Sequence, residues 1–374
     1  MPHARDRART IHPSRARLAA VVTTALVALV TTGLGPGSAS DAAVAARSAV
    51  GSGNPLAGGT WGVYTGRADG VYPAWQNATG TEKDLLAKVA LRPRVRWLGR
   101  WIPDNQIAGT VRDYIDQTQN GDPNVLVQMA VFREFPKGEP HRDDPLTDAD
   151  KASYRRWVHN AAVGIGSARV VMVLEPDLAV GLQGWRPAVR LNLVNYAARV
   201  FGALPNTAVY LDASDSDWLK IPDAVSMLLK AGVRNVRGVA LGATHYSSTA
   251  ENIAYGRRLV AALAKAGVPG RHVVIDTADN GQPFTWLQYY AAHPGGDFDN
   301  AQTCRSKTQH RCVTLGIPPT WRVADARWHL SPTARDTARK YVDGYLWFGR
   351  PWLYRQAAPF KRARTLAVAR TTPY

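Results

Sequence analysis

Two carboxylic acids follow a short apolar segment near the middle of the chain. Val170 to Leu174 is apolar throughout, too short for a helix, and is followed at once by Glu175-Pro-Asp177. Such a run is typical of a strand that is buried on both faces of a parallel sheet. Because ligands bind at the carboxyl ends of parallel strands, these acids predict a functional site there. The alternative is a helix-capping acid beside a solvated one.

Further acids and aromatic residues stand where other predicted strands end. Carboxylates hydrogen-bond hydroxyl groups, and aromatic faces stack on sugar rings, so a cleft lined by both suits a polysaccharide. Tryptophan is more often a core residue than a sugar platform, but a position at a strand end favours the platform. The residues that we expect to bind substrate are Trp97, Arg133, Asp212, Asp215, Asp217, Trp218, His245, Asn280 and Trp347.

Seven predicted strands position these residues, and helical patterns separate nearly all of them. Repeated βα units imply a parallel sheet with right-handed crossovers, and the length of the chain favours a TIM-like (β/α) barrel over an open sheet. No glycine-rich phosphate fingerprint follows the first strand, so we expect neither a dinucleotide nor another cofactor. The predicted strands are 95–98, 125–131, 170–174, 208–211, 236–241, 272–275 and 344–348.

The amino terminus has the features of a secretory signal peptide. Arginines precede an apolar segment, 18–30, that is too short to span a bilayer, and small residues follow at 37–43. We therefore expect a signal peptide over 1–43, a flexible linker over 44–58 and a single catalytic domain over 59–374. The mature protein is expected to be secreted, monomeric and free of the membrane.

Charge and cysteine content narrow the class of protein further. The 374 residues have a formal net charge of +17, but the basic residues are scattered and no nucleic-acid motif accompanies them. They fit either an affinity for anionic polymer or a generally basic surface. Cys304 and Cys312 predict one disulfide in an exported protein, since two thiols alone make a poor zinc site.

Five ordered motifs resemble those of glycoside hydrolase family 6, over about Trp61 to Trp352. They are Leu-Glu-Pro-Asp-Leu (174–178), Val-Tyr-Leu-Asp-Ala (209–213) with Asp217-Trp218-Leu, Val-Arg-Gly-Val-Ala (236–240), Val-Ile-Asp-Thr-Ala-Asp-Asn-Gly (274–281) and Tyr-Leu-Trp (345–347). The resemblance implies a distorted, incomplete parallel barrel of seven strands. It also implies cellobiohydrolase or endoglucanase activity on β-1,4-glucan with inversion, in which an acid protonates the leaving oxygen while a base activates water.

The resemblance also assigns residue roles, and here the chain departs from the family. The family's general acid is an Asp after an Arg at the second strand end, where this chain has Glu134. A helper Asp at the first strand end is replaced by Gly99, and the acidic segment after the last strand reads Phe348-Gly-Arg350-Pro-Trp352, without an acid. Asp177 matches an Asp that contacts sugar near the scissile bond. The remaining candidates for the base are Asp177, Asp212, Asp215, Asp217, Asp276 and Asp279.

Two hypotheses follow for the function. The first is a secreted β-1,4-glucan hydrolase with Glu134 and Asp177 as its catalytic residues. The second is a catalytically inactive polysaccharide-binding protein on the same scaffold, which the missing carboxylates favour. A third alternative is a specificity changed toward a charged polysaccharide, because Asp215 and Asp217 replace a His and a Gly of the family pattern.

Overall fold

Seven parallel strands form one curled sheet in residues 53–374, the part of the chain that the computed structural model describes. Their order in the sheet is their order in the chain, so each strand pairs with the next. The strands are β1 (Arg96–Gly99), β2 (Val127–Phe132), β3 (Val170–Leu174), β4 (Thr207–Asp212), β5 (Gly238–Leu241), β6 (His272–Asp276) and β7 (Val342–Leu346). The sequence predicted all seven, and β3 has the predicted bounds.

Helices fill most of the intervals between these strands. They are α1 (Val71–Gln76), α2 (Gly80–Ala90), α3 (Ile107–Gln119), α4 (Asp148–Ile165), α5 (Leu178–Gly181), α6 (Pro187–Gly202), α7 (Ile221–Ala231), α8 (Thr249–Lys265), α9 (Trp286–Ala292), α10 (Pro332–Tyr341) and α11 (Arg362–Thr371). A small antiparallel pair, β8 (Leu353–Tyr354) and β9 (Ala357–Phe360), precedes α11. Helix α4 begins with the predicted capping box, in which Thr147 and Asp150 satisfy each other's backbone N–H groups.

The sheet is an incomplete barrel that stays open between β1 and β7. Within the described residues these two strands form no ladder, and the seam is crossed by single hydrogen bonds. Val95 donates its backbone N–H to Trp347 O at 2.9 Å, and Trp97 Nε1 donates to Phe348 O at 2.8 Å. The architecture is therefore the predicted distorted α/β barrel, with its gap at the predicted first and last strands.

Side chains alternate between two cores along each strand, as the pleat requires. On β3, Val170, Met172 and Leu174 pack against the helices, whereas Val171 and Val173 point into the barrel. All five are at most 1% exposed. This burial on both faces explains why β3 reads as an unbroken apolar run. It also fixes the position at which the chain leaves the sheet and enters Glu175-Pro-Asp177.

The domain begins earlier than the predicted linker boundary. Leu56 is fully buried, and the Arg169 guanidinium donates to the carbonyl oxygens of Pro55, Ala57 and Gly58. Residues 53–58 are thus packed rather than flexible, because their carbonyl groups find a donor on the domain. The predicted signal peptide, 1–43, and the predicted linker residues 44–52 lie outside the described residues.

The long connection after β6 contains the predicted disulfide. Cys304 and Cys312 are joined, and both are buried. Within residues 53–374, none of the helices combines the length and the hydropathy needed to cross a bilayer.

Candidate active site

A cavity of about 510 Å³ opens at the carboxyl ends of the strands, where the sequence predicted a site. Its wall combines acids, bases and aromatic rings from six different connections. The lining residues are Trp97, Phe132, Glu139, Arg142, Asp177, Val180, Gln183, Asp217, Trp218, Thr244, His245, Trp286, Phe298, Asp299, Arg350, Arg355, Gln356 and Ala357. Five residues that the sequence assigned to the site are among them, namely Trp97, Asp177, Asp217, Trp218 and His245.

Asp177 is the half-buried carboxylate that follows β3. It has a left-handed backbone, φ 68°, and precedes α5 without capping it, so the helix-capping interpretation of this residue is excluded. Thr244 Oγ1 donates weakly to Asp177 Oδ1, at 3.4 Å. Burial, followed by the negative charges of Glu139 and Asp299, raises the pKa of Asp177 from 3.8 to about 7. Below pH 7 this carboxyl therefore keeps a proton that it can transfer into the cavity.

Glu175 has a structural role beside it. Its Oε2 accepts the backbone N–H groups of Arg133 and Glu134, at 2.7 and 2.9 Å, and its Oε1 accepts the Tyr154 hydroxyl at 2.8 Å. The side chain is fully buried, and burial raises its pKa to about 7 against the effect of these hydrogen bonds. Glu175 thereby ties the chain after β2 to the end of β3, next to Asp177.

Glu134 lies behind the cavity wall, not on it, which differs from the prediction. It is 1% exposed, and a Cβ added to Gly181 of α5 would come within 2.7 Å of its Oε2. Neither carboxylate oxygen has a hydrogen-bond partner within the described residues. Burial, followed by the charges of Glu175 and Asp177, raises its pKa well above the usual range. Glu134 is therefore an enclosed carboxyl group whose protonated form is favoured by burial.

An ion pair between two tryptophan rings forms another part of the wall. Asp217 Oδ1 lies 3.0 Å from His245 Nδ1, and Asp217 Oδ2 accepts the backbone N–H of Trp286 at 2.6 Å. The His245 ring is stacked between Trp218 and Trp286, with centroid distances of 5.5 and 6.2 Å. Although burial opposes it, the bond to Asp217 and the charge of Asp215 raise the pKa of His245 to about 9. This side chain is thus an imidazolium at neutral pH.

Asp215, Asp217 and His245 also lie close enough for one metal ion, with ligand atoms within 4.8 Å of one another. Their oxygen atoms already have other partners. Asp217 uses both oxygens as described, and Asp215 accepts from Ser216 Oγ and from Asn252 Nδ2 at 3.0 and 3.1 Å. The hydrogen bonds and the ion pair account for the position of these side chains.

The connection after β7 brings a cation to the cavity wall. The Arg350 guanidinium lies 3.8 Å from the centre of the Trp97 ring. This cation–π contact covers one face of Trp97, so that face is closed to a sugar. Burial lowers the pKa of Arg350 to about 9, partly offset by the charges of Asp177 and Asp276. Arg350 remains charged at neutral pH and faces the Asp177 side of the cavity.

Other residues that the sequence assigned to the cleft are not part of its wall. Arg133 donates to Ser153 Oγ and lies 3.7 Å from Asp104, which turns it outward. Asp212 accepts the Ser214 N–H, and Asn280 Nδ2 donates to Ser247 O. All three are less than 9% exposed, and these local hydrogen bonds explain the choice of polar residues at these positions.

Three more candidates serve the core for similar reasons. Trp347 is 1% exposed and donates its indole N–H to Ile317 O, so it is a core residue and not a platform. Asp276 accepts the N–H groups of Ala278, Phe348 and Gly349. Asp279 accepts from Gln356 Nε2 at 2.7 Å. With Asp215 also buried and bonded, few of the candidate bases reach the cavity.

Sequence reasoning missed the charged residues that irregular connections bring to the wall. Glu139 and Arg142 come from the connection between β2 and α4, Asp299 from the one between β6 and β7, and Arg355 from the turn between β8 and β9. None of these positions follows a strand directly, and no periodic pattern surrounds them. Only the folded chain brings them together.

Comparison with known proteins accounts for this architecture. The family model described as "Glycosyl hydrolases family 6" matches residues 63–349. The chain belongs to glycoside hydrolase family 6. Its relatives include Endoglucanase A of Cellulomonas fimi, 32% identical over 227 residues, which are 59% of this chain and 47% of that protein. Endoglucanase 1 of Streptomyces halstedii is 29% identical over 209 residues, 54% of this chain and 63% of that protein.

A solved family 6 structure covers the described domain more completely. The endoglucanase Cel6 from Mycobacterium tuberculosis, in complex with a methyl-cellobiosyl-4-deoxy-4-thio-β-D-cellobioside, superimposes with a TM-score of 0.65. It is 27% identical, and the match covers 84% of this chain and 98% of that one. The two curated endoglucanases are each matched over less than two thirds of their length.

Proposed function

We propose that this family 6 protein is a secreted hydrolase that cleaves β-1,4-glucan with inversion at the anomeric carbon. The supporting relatives are called endoglucanases, and the Mycobacterium tuberculosis enzyme is in complex with a thio-linked cellobioside. The predicted signal peptide supports export. The exposed faces of Trp218 and Trp286, at 37% and 43%, offer surfaces on which glucose rings can stack.

The observation on which this proposal depends most is the half-buried carboxyl of Asp177 on the cavity wall, whose pKa is raised to about 7 by burial. Hydrolysis of a glycoside needs an acid that still holds its proton near the working pH, and burial supplies that property here. We therefore propose Asp177 as the general acid that protonates the leaving glycosidic oxygen. The enclosed position of Glu134 makes it a less suitable donor than the sequence suggested, since Gly181 and the α5 backbone stand beside its carboxyl.

The other charged groups of the wall then have supporting roles. The Asp217–His245 ion pair fixes Trp218 and Trp286 in a stacked arrangement, because Asp217 binds both the imidazolium and the Trp286 N–H. Arg350 favours the ionised form of Asp177 after proton transfer, because its positive charge lowers the pKa of that carboxyl. No step in this scheme needs a cofactor.

Asp177→Asn and Glu134→Gln separate the two candidate acids. Reducing-end release from carboxymethyl cellulose and mixed-linkage glucan is measured for each purified variant. Loss of a general acid costs about 10²–10⁴-fold in rate, so we expect that loss in Asp177→Asn and less than a few-fold change in Glu134→Gln. A large loss of activity in Glu134→Gln with little change in Asp177→Asn would instead identify Glu134 as the general acid. Glucan binding without release of reducing ends by the wild type would favour the polysaccharide-binding protein.

A further inference from the structure

The inverting scheme lacks a base, because the acids that follow the strands are engaged elsewhere. Asp212, Asp215, Asp276 and Asp279 are buried and accept hydrogen bonds from the surrounding chain. Asp217 is the partner of His245. The base must therefore be sought among the two remaining acids of the cavity wall, which are Glu139 and Asp299.

Asp299 lies on a firmly anchored turn. It is the middle residue of the 3-10 turn Phe298–Asn300. Phe298 is 4% exposed, and its ring packs against the rings of Trp286 and Tyr246 at 4.9 Å each. Tyr246 also donates its hydroxyl to Phe298 O at 2.9 Å. Because the residue before it is fixed on both sides, the backbone of Asp299 has a defined position beside the cavity that this residue lines.

The surroundings of Asp299 give its carboxylate access to water and to two cations. The residue is exposed, and no hydrogen bond to its side chain exists within the described residues. Partial desolvation and the neighbouring Asp297 raise its pKa above the ordinary value, and the positive charges of His245 and Arg355 limit that rise. For Glu139, burial and the charge of Asp299 raise the pKa, and the charge of Arg142 opposes them.

Asp177 and Asp299 approach the cavity from different sides of the fold. Asp177 follows β3, and Asp299 belongs to the connection after β6, with β4 and β5 between these strands in the sheet. The charge of Asp299 raises the pKa of Asp177, although no hydrogen bond joins the two groups. An inverting pair needs carboxyl groups that are roughly 6.5–9.5 Å apart, with room for a water molecule between them.

We propose that Asp299 is the general base of this enzyme, in place of the acid that the family has after the last strand. This inference rests on the proposed glucan hydrolysis. The water oxygen forms a bond to the anomeric carbon while the bond from that carbon to the glycosidic oxygen breaks. Asp299 accepts a proton from the water, and Asp177 gives its proton to the departing oxygen. Both carboxyls then exchange protons with solvent before the next cycle.

The test uses Asp299→Asn with Asp297→Asn as a matched control on the same turn. Asp297 lies two residues away and pairs with Arg355 at 2.9 Å without lining the cavity. Hydrolysis of cellopentaose and of 2,4-dinitrophenyl β-cellobioside is followed with and without sodium azide. Azide needs no base, so it attacks the anomeric carbon directly and yields an α-glycosyl azide.

Asp299→Asn is expected to lower turnover of both substrates by about 10²–10⁴-fold, and azide to restore it with formation of the α-glycosyl azide. Asp297→Asn is expected to stay within a few-fold of the wild type. Asp177→Asn should remain active only on the dinitrophenyl substrate, whose leaving group needs no acid. Undiminished hydrolysis by Asp299→Asn, or azide rescue of Glu139→Gln instead, would overturn the assignment. A wild type that hydrolyses neither substrate would refute the proposed function itself.

Discussion

Glu175→Gln should change the stability of this protein in a pH-dependent way. In the wild type the buried carboxyl has a pKa of about 7, compared with 4.5 in an exposed environment. The folded state therefore holds this proton more tightly than the unfolded chain does. Between pH 4.5 and 7 the folded state binds more protons, so the free energy of unfolding falls as the pH rises through that window. Above pH 7 this loss is complete.

The magnitude follows from the difference between these pKa values. Each pKa unit corresponds to about 1.4 kcal/mol, so the loss amounts to about 3 kcal/mol at pH 8. The substituted glutamine cannot ionise and avoids that loss. Its amide oxygen can accept the N–H groups of Arg133 and Glu134, but one amide hydrogen remains without a partner, which costs about 1–3 kcal/mol. The variant should therefore be less stable than the wild type at pH 5, and equally stable or up to about 2 kcal/mol more stable at pH 8.

Urea unfolding at pH 5 and pH 8 measures this effect. Asp84→Asn, a substitution of an exposed carboxyl on α2, serves as the control and should change stability alike at both pH values. The negative charge of Glu175 also raises the pKa of Glu134. The Glu175→Gln variant lacks this repulsion between the two carboxylates, which changes its stability at high pH in the same direction. If the wild type and Glu175→Gln differ by the same free energy of unfolding at pH 5 and pH 8, burial does not raise the pKa of Glu175.

Three further substitutions test other parts of the structure. Asp343→Ala should lower the free energy of unfolding by about 3–5 kcal/mol in a urea titration, since it leaves the Arg237 guanidinium buried without its 2.7 Å partner. Arg350→Gln should shift the alkaline limb of the pH–activity profile upward, because the positive charge that lowers the pKa of Asp177 is removed. An unchanged alkaline limb would show that Arg350 does not set the pKa of Asp177 in the working enzyme. Glu134→Met should raise stability by about 1–3 kcal/mol at pH 8, because it replaces a buried carboxyl without a hydrogen-bond partner in the described residues.

Most of the fold could be predicted from the sequence because buried parallel strands have a strong local signal. The run 170–174 gives β3 its bounds directly, since polar residues stand at both ends. The predicted bounds of the other strands differ from those in the structure. Strand β7 begins at Val342 rather than at Gly344, because Asp343 is accommodated inside the sheet by Arg237, His272 and Tyr210. A buried acid with partners from distant strands cannot be recognised locally.

The site was predictable where it lies in a connection that follows a recognisable strand. Asp177 in the connection after β3 and Trp218 in the connection after β4 were found in this way, whereas Asp299 belongs to a long irregular connection with no periodic pattern. Glu134 shows a different difficulty. Phe132 lines the cavity, and strand alternation would place residue 134 on the same side. The chain instead turns after Phe132, where Glu175 binds two successive N–H groups, so the Glu134 side chain ends behind the wall.

Tryptophan illustrates why composition alone does not assign a sugar platform. Trp347 directly follows β7 and Trp218 lies in the connection after β4, yet Trp218 is 37% exposed and Trp347 is 1% exposed. The difference arises from the connection after β6, which supplies Ile317 O to the Trp347 indole and covers its ring. Only the three-dimensional course of that connection distinguishes the two residues.

Hydrolysis of β-1,4-glucan with inversion is the activity that we propose for this cavity. It can be observed by proton NMR of the anomeric signals during the first minutes of cellohexaose cleavage by the wild type, with Asp177→Asn measured beside it. We expect the new reducing ends to appear first as the α anomer, and Asp177→Asn to produce none on the same time scale. Initial formation of the β anomer, or α product from Asp177→Asn at the wild-type rate, would contradict it.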